Sequence, residues 1–140
     1  MDTKALNNDL IALVEKKILL SRLSYADAHY DDVEEELHVL EDAFVDKYGE
    51  YLEQALEKVH NTHSIDSDVL LPIAYLAQKY VKTGTRSDGT PIYEVSHREG
   101  VWVETDKFPG REVRLVLVPS PTRFILSTGP KHQEEVWFAG

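Results

Sequence analysis

The hydrophobic residues of this chain change their period near Tyr80, returning at three and four residue steps before it and at alternate positions after it. Apolar residues at i, i+3 and i+4 make one face of a helix, whereas alternation makes one face of a strand. Residues 1–80 are therefore expected to be helical and residues 81–140 to form strands. Charge follows the same division: residues 1–80 carry 17 Asp/Glu against 7 Lys/Arg, and residues 81–140 carry 8 of each. The formal charge of −10 thus belongs to the helical part.

The first helix is expected from Thr3 to Ser24, with Leu6, Leu10, Leu13, Val14, Ile18 and Leu20 on one face. A second should be capped by Asp31 with Glu34 three residues on, and striped by Val33, Leu37, Leu40, Phe44, Tyr48, Leu52, Leu56 and Val59. A third is expected to start at Ser67 or Asp68 and to carry Val69, Leu70, Ile73, Leu76, Ala77 and Tyr80, with Pro72 forcing a late start or a bend. Beyond Lys82, turn signals such as Asp88-Gly89 separate short Val-, Ile- and aromatic-rich runs. Five strands are expected near Ile92–Ser96, Val101–Thr105, Glu112–Val118, Arg123–Thr128 and Glu135–Ala139, with Tyr80–Thr85 as an extra one.

Helices followed by strands define an α+β domain. The expected architecture is one domain over 1–140, in which three N-terminal helices pack on one face of a C-terminal antiparallel meander of five or six strands. Tyr93, Val95, Val101, Val103, Val113, Leu115, Leu117, Phe124, Leu126, Val136 and Phe138 share the phase that should face the helices. The opposite phase presents Ile92, Trp102, Val116, Val118, Ile125 and Trp137 among Glu94, Glu104, Glu112, Arg114, Arg123 and Glu135. Trp and Arg dominate interface hot spots, because each joins large contact area to a directed polar group. Trp102, Arg114, Arg123 and Trp137 are accordingly the candidate interaction residues, for a second copy of the chain or for another protein.

A cofactor is not strongly implied. The most metal-like run is His60-Asn61-Thr62-His63-Ser64-Ile65-Asp66, whose His60, His63 and Asp66 could offer three ligands to a divalent ion. The same residues also read as a helix C-terminus followed by capping and turn residues. On the second helix, His29, Asp32 and Glu36, and separately Glu34 and His38, share a face, as carboxylates and imidazoles do on a solvated helix surface. Lys82-Thr83-Gly84-Thr85 resembles the Lys-Thr-Gly element of serine β-lactamases and penicillin-binding proteins, but no Ser-x-x-Lys or Ser-Asp-Asn accompanies it, so nucleophile and base are missing. No phosphate loop, nucleophile elbow or His-Glu-x-x-His occurs.

Excess negative charge repels phosphate backbones and makes nucleic acid an unlikely partner. The absence of cysteine excludes disulfides and thiolate chemistry and fits a cytoplasmic setting. The opening residues lack a basic segment ahead of an apolar run, so neither a signal peptide nor a membrane span is expected. These features favour a small acidic protein-interaction domain, acting through the Trp/Arg sheet face or the acidic second helix. A ligand- or metal-binding domain and an enzyme of unrecognised type are the alternatives. Small acidic inhibitors and immunity-type proteins are similar in composition, with no motif in common.

Overall fold

The computed structural model describes residues 1–140 as two long helices and six strands in α+β order. Helix α1 spans Thr3–Ser21, capped by Asp2, whose side chain accepts a hydrogen bond from the Ala5 N–H. Helix α2 spans Tyr30–Thr62, about 50 Å at 1.5 Å per residue. It starts one residue before the expected cap, so Asp31 lies inside the first turn and His29 precedes it without a side-chain cap. The two helices pack through Leu6, Leu10, Leu13 and Val14 of α1 and the Val33-to-Val59 stripe of α2. The Tyr48 hydroxyl donates to Asp9 across this seam, and burial beside that carboxylate pushes the phenol up to about 12.

The expected third helix is replaced by a single 3-10 turn, Pro72–Tyr75. Leu71, preceding Pro72, is extended, as the proline ring requires of its neighbour. The backbone N–H groups that a helix would consume go elsewhere: those of Leu70 and Ala77 donate to the hydroxyls of Tyr75 and Tyr80. Leu76 is extended and bridges in parallel to Leu117. Helical spacing in this segment reflects burial of Tyr75, Leu76, Ala77 and Tyr80, not helical backbone.

The strands divide into two sheets instead of one meander. Strands β1 (Val81–Thr85) and β2 (Pro91–Glu94) form a separate ribbon around the Asp88-Gly89 turn. Strands β3 (Val101–Val103), β4 (Val113–Val118), β5 (Arg123–Gly129) and β6 (His132–Phe138) form the antiparallel main sheet, in that order. One face carries Val103, Val113, Leu115, Leu117, Phe124 and Leu126, all buried, and looks toward α2. The N-terminus is fastened to the sheet by Asn7, whose Oδ1 accepts hydrogen bonds from the Ser120 N–H at 2.9 Å and the Thr122 hydroxyl at 3.0 Å. No helix is long and apolar enough to cross a membrane.

The other face of the main sheet is covered as well. The chain from Tyr93 to Gly100 crosses it, with Arg123 Nη2 donating to the Tyr93 carbonyl and Gln133 Nε2 to the Val95 carbonyl. Val116, Val118 and Ile125, expected to lie open, are therefore buried, as is Ser127 beside them. Gly100 ends the crossing at φ +96°, where a Cβ would lie 2.3 Å from the Leu115 carbonyl oxygen. Only a glycine lets β3 enter beside β4 this closely.

Candidate functional site

The four candidate interaction residues do not share one exposed surface. Trp102 stands on the edge strand β3 and is 59% exposed. Its cross-strand neighbour Arg114 is half-buried and already engaged, bonding the Gly100 carbonyl at 3.1 Å and the Glu112 carboxylate at 2.8 Å. That guanidinium holds the Glu112 carboxyl below its usual range.

Arg123 is a buried strut. Its Nη1 donates to the carbonyls of Pro119 and Pro121, and its Nε lies 3.0 Å from Glu135 Oε2, near enough for ion pairing but not aligned for a hydrogen bond. Trp137 lies on the opposite side of the sheet from its expected place. Phe124 pairs with Trp137 but Ile125 pairs with Glu135, so Val136 is an extra residue in β6. Such a bulge reverses the alternation beyond it. Trp137 consequently packs against Phe124 at 5.5 Å and Tyr51 of α2 at 5.8 Å, while Phe138, expected in the core, is 49% exposed.

His60, His63 and Asp66 do not converge either. His60 is buried at the end of α2, with Nδ1 2.9 Å from the Ser67 carbonyl oxygen. A carbonyl only accepts, so Nδ1 carries the proton and the lone pair on Nε2 is left in an apolar setting without a partner. The His63 carbonyl accepts from the Thr105 hydroxyl, and the Asp66 N–H donates to the Glu104 carbonyl. These bonds clip the end of α2 to the loop beyond β3. No three carboxylate or imidazole side chains anywhere in the chain are placed to hold a metal ion. On α2, Glu36 pairs with Lys16 at 2.7 Å, and His38 lies 3.5 Å from Glu41.

Burial lowers the proton affinity of His60, the Ser67 hydrogen bond opposing it only in part. A base whose folded pKa is depressed favours the unfolded chain in acid. Its contribution is therefore complete above the ordinary value of about 6.5 and is lost as pH falls from there toward the lower folded value, each unit of depression being worth about 1.4 kcal/mol. His60→Gln, which does not titrate, is expected to show a shallower loss of melting temperature below about pH 6.5 than the native chain. Parallel melting curves for the two proteins would exclude this.

The outward side of α2 is strongly acidic. Asp31, Asp32, Glu35, Glu36, Asp42, Asp46 and Glu50 are all exposed along it. Val39 lies among them and is 62% exposed. Few cations offset these carboxylates: Lys16 engages Glu36, while Lys47, on α2 itself, engages Asp9 of α1. No protein-family model, curated protein or solved structure matches the chain.

Proposed function

We propose that the chain is a protein-interaction domain that presents the outward side of α2 to a basic surface on a protein partner. The supporting observation is the row of exposed carboxylates from Asp31 to Glu50, interrupted by the exposed Val39. Complementary charge steers encounter and fixes register, and a central apolar side chain supplies area that loses water on docking. The Tyr93–Gly100 crossing lies over much of the Trp/Arg sheet face, which favours α2 as the docking surface.

The test is capture and crosslinking of basic proteins on the immobilised chain. Binding is expected at about 0.1 M salt and should be released near 1 M, as screening shortens from about 10 Å to 3 Å. Crosslinks should map to α2. A triple variant, Glu35→Lys with Asp42→Lys and Asp46→Lys, should keep its melting temperature and weaken binding about a hundredfold or more, since like charges facing one another across an interface cost several kcal/mol. Capture that ignores salt, or that the triple variant retains, refutes the assignment.

A further inference from the structure

Two concave regions meet at the C-terminal end of α1. One, of about 550 Å³, lies between that end and the start of β1; the other, of about 680 Å³, lies between it and the start of α2. They share Lys17, Ser21 and Gln78 and so adjoin one another as two halves of one surface cleft. Each is within the roughly 300–1,000 Å³ range of small-molecule sites.

The two halves differ in chemistry. The half beside α2 has more hydrophobic residues in its lining, with Leu20, Leu23, Leu37, Tyr25 and Tyr30 beside Ser24 and the shared polar residues. Tyr25 is 87% exposed yet held against Tyr30 with ring centres 4.6 Å apart. The half beside β1 is lined by Lys17, Arg22, Lys79 and Lys82. Lys82 is paired with Glu15, whereas Lys17, Arg22 and Lys79 take part in none of the ion pairs of the chain. Glu99 also lies near, but its carboxylate is engaged by the backbone N–H groups of Gln78 and Lys79, leaving the Lys79 ammonium free.

A base at a helix C-terminus favours the helix dipole, which accounts for Arg22 at the C-cap of α1. It does not account for Lys79 and Lys82, which arrive from a different part of the chain. In a protein with a formal charge of −10, three unpaired cations gathered in one cleft beside exposed aromatic surface are complementary to an anion with an apolar body. From this juxtaposition we infer that the cleft binds a small amphiphilic anion, a carboxylate or phosphate carried on an alkyl or aromatic group. The basic half takes the anionic head and the Leu20/Tyr25/Tyr30 half takes the tail. This site is separate from the outward side of α2 and does not depend on the partner proposed there.

Calorimetric titration with four probes tests it: octanoate, octyl phosphate, octanol and inorganic phosphate. The first two are expected to bind one to one, and at least about tenfold more tightly than the alcohol or the bare ion, because a hydrogen bond to a charged group and buried alkyl area both contribute. Comparing octanoate with octyl phosphate identifies the preferred head group. Lys17→Glu with Lys79→Glu should weaken both about tenfold or more, and Tyr25→Ser should weaken them less, with melting temperatures unchanged. The α2 triple variant should bind octanoate as the native chain does, so failure here and failure of the α2 assignment are distinguishable. If octanol binds as well as octanoate, if the charge reversals change nothing, or if no probe saturates, the cleft is not an anion site. Should the variants unfold, amide shifts of Ser21, Tyr30 and Gln78 in the native chain on adding octanoate decide the matter, and their absence overturns the proposal.

Discussion

Gly100→Ala is expected to cost about 3–5 kcal/mol, a large share of the roughly 5–15 kcal/mol that holds a domain of this kind folded. Two effects combine. A φ of +96° is hostile to any residue with a Cβ, and the added carbon would lie 2.3 Å from the Leu115 carbonyl oxygen and 2.8 Å from Val116 Cβ. Neither neighbour is the free end of a flexible side chain, so β4 itself must move. Gly110→Ala is the control, because Gly110 also has positive φ, at +73°, but open space around the position of its Cβ. It should cost only about 1–2 kcal/mol, the backbone penalty alone. Equal urea midpoints for the two variants would show that the approach of β3 to β4 is looser than described.

Arg123→Ala is expected to destabilise by about 2–4 kcal/mol, as removal of a buried charged donor leaves its acceptors unpaired. The carbonyls of Pro119, Pro121 and Tyr93 would all lose a partner, and the Tyr93–Gly100 crossing would lose one of its fastenings to the sheet. Glu135, half exposed, recovers water and moderates the loss. Trp102→Ala is the contrast, since a largely exposed side chain on an edge strand contributes within about 0.5–1 kcal/mol. The residue pair Arg123 and Trp102 looked equivalent as interface candidates, and denaturant melts should separate them. An Arg123→Ala protein with native stability would return that side chain to the surface.

Long, regular stretches were legible in the sequence and tertiary capture was not. The stripe of α2 and the leucines of α1 appear where their spacing placed them, because many turns of one period leave little ambiguity. The segment after Ser67 has the same spacing, but two tyrosine hydroxyls and the edge of β4 claim its backbone, and no local pattern reveals a partner forty residues away. The sheet phase was readable as far as Val136, where one bulged residue moved Trp137 inward and Phe138 outward. The covering of the second sheet face was hidden for a related reason. Tyr93 and Val95 read as strand residues of the main sheet, whereas they lie across it.

The acidic side of α2 could be read directly, since its carboxylates are close in sequence. The cations of the cleft could not. Lys17 and Arg22 stand some sixty residues before Lys79 and Lys82, and only the return of the chain past the end of α1 brings them together. The metal candidates illustrate the converse, being close in sequence yet forming no three-ligand cluster in the fold.

The fastening of Asn7 to Ser120 and Thr122 bears on how the polypeptide is made. During vectorial synthesis the residues that secure the first helix leave the ribosome 113 and 115 residues after Asn7. Until they emerge, Leu6, Leu10, Leu13 and Val14 have the neighbouring helix as their cover, so the nascent chain first exists as an amphipathic hairpin awaiting its floor.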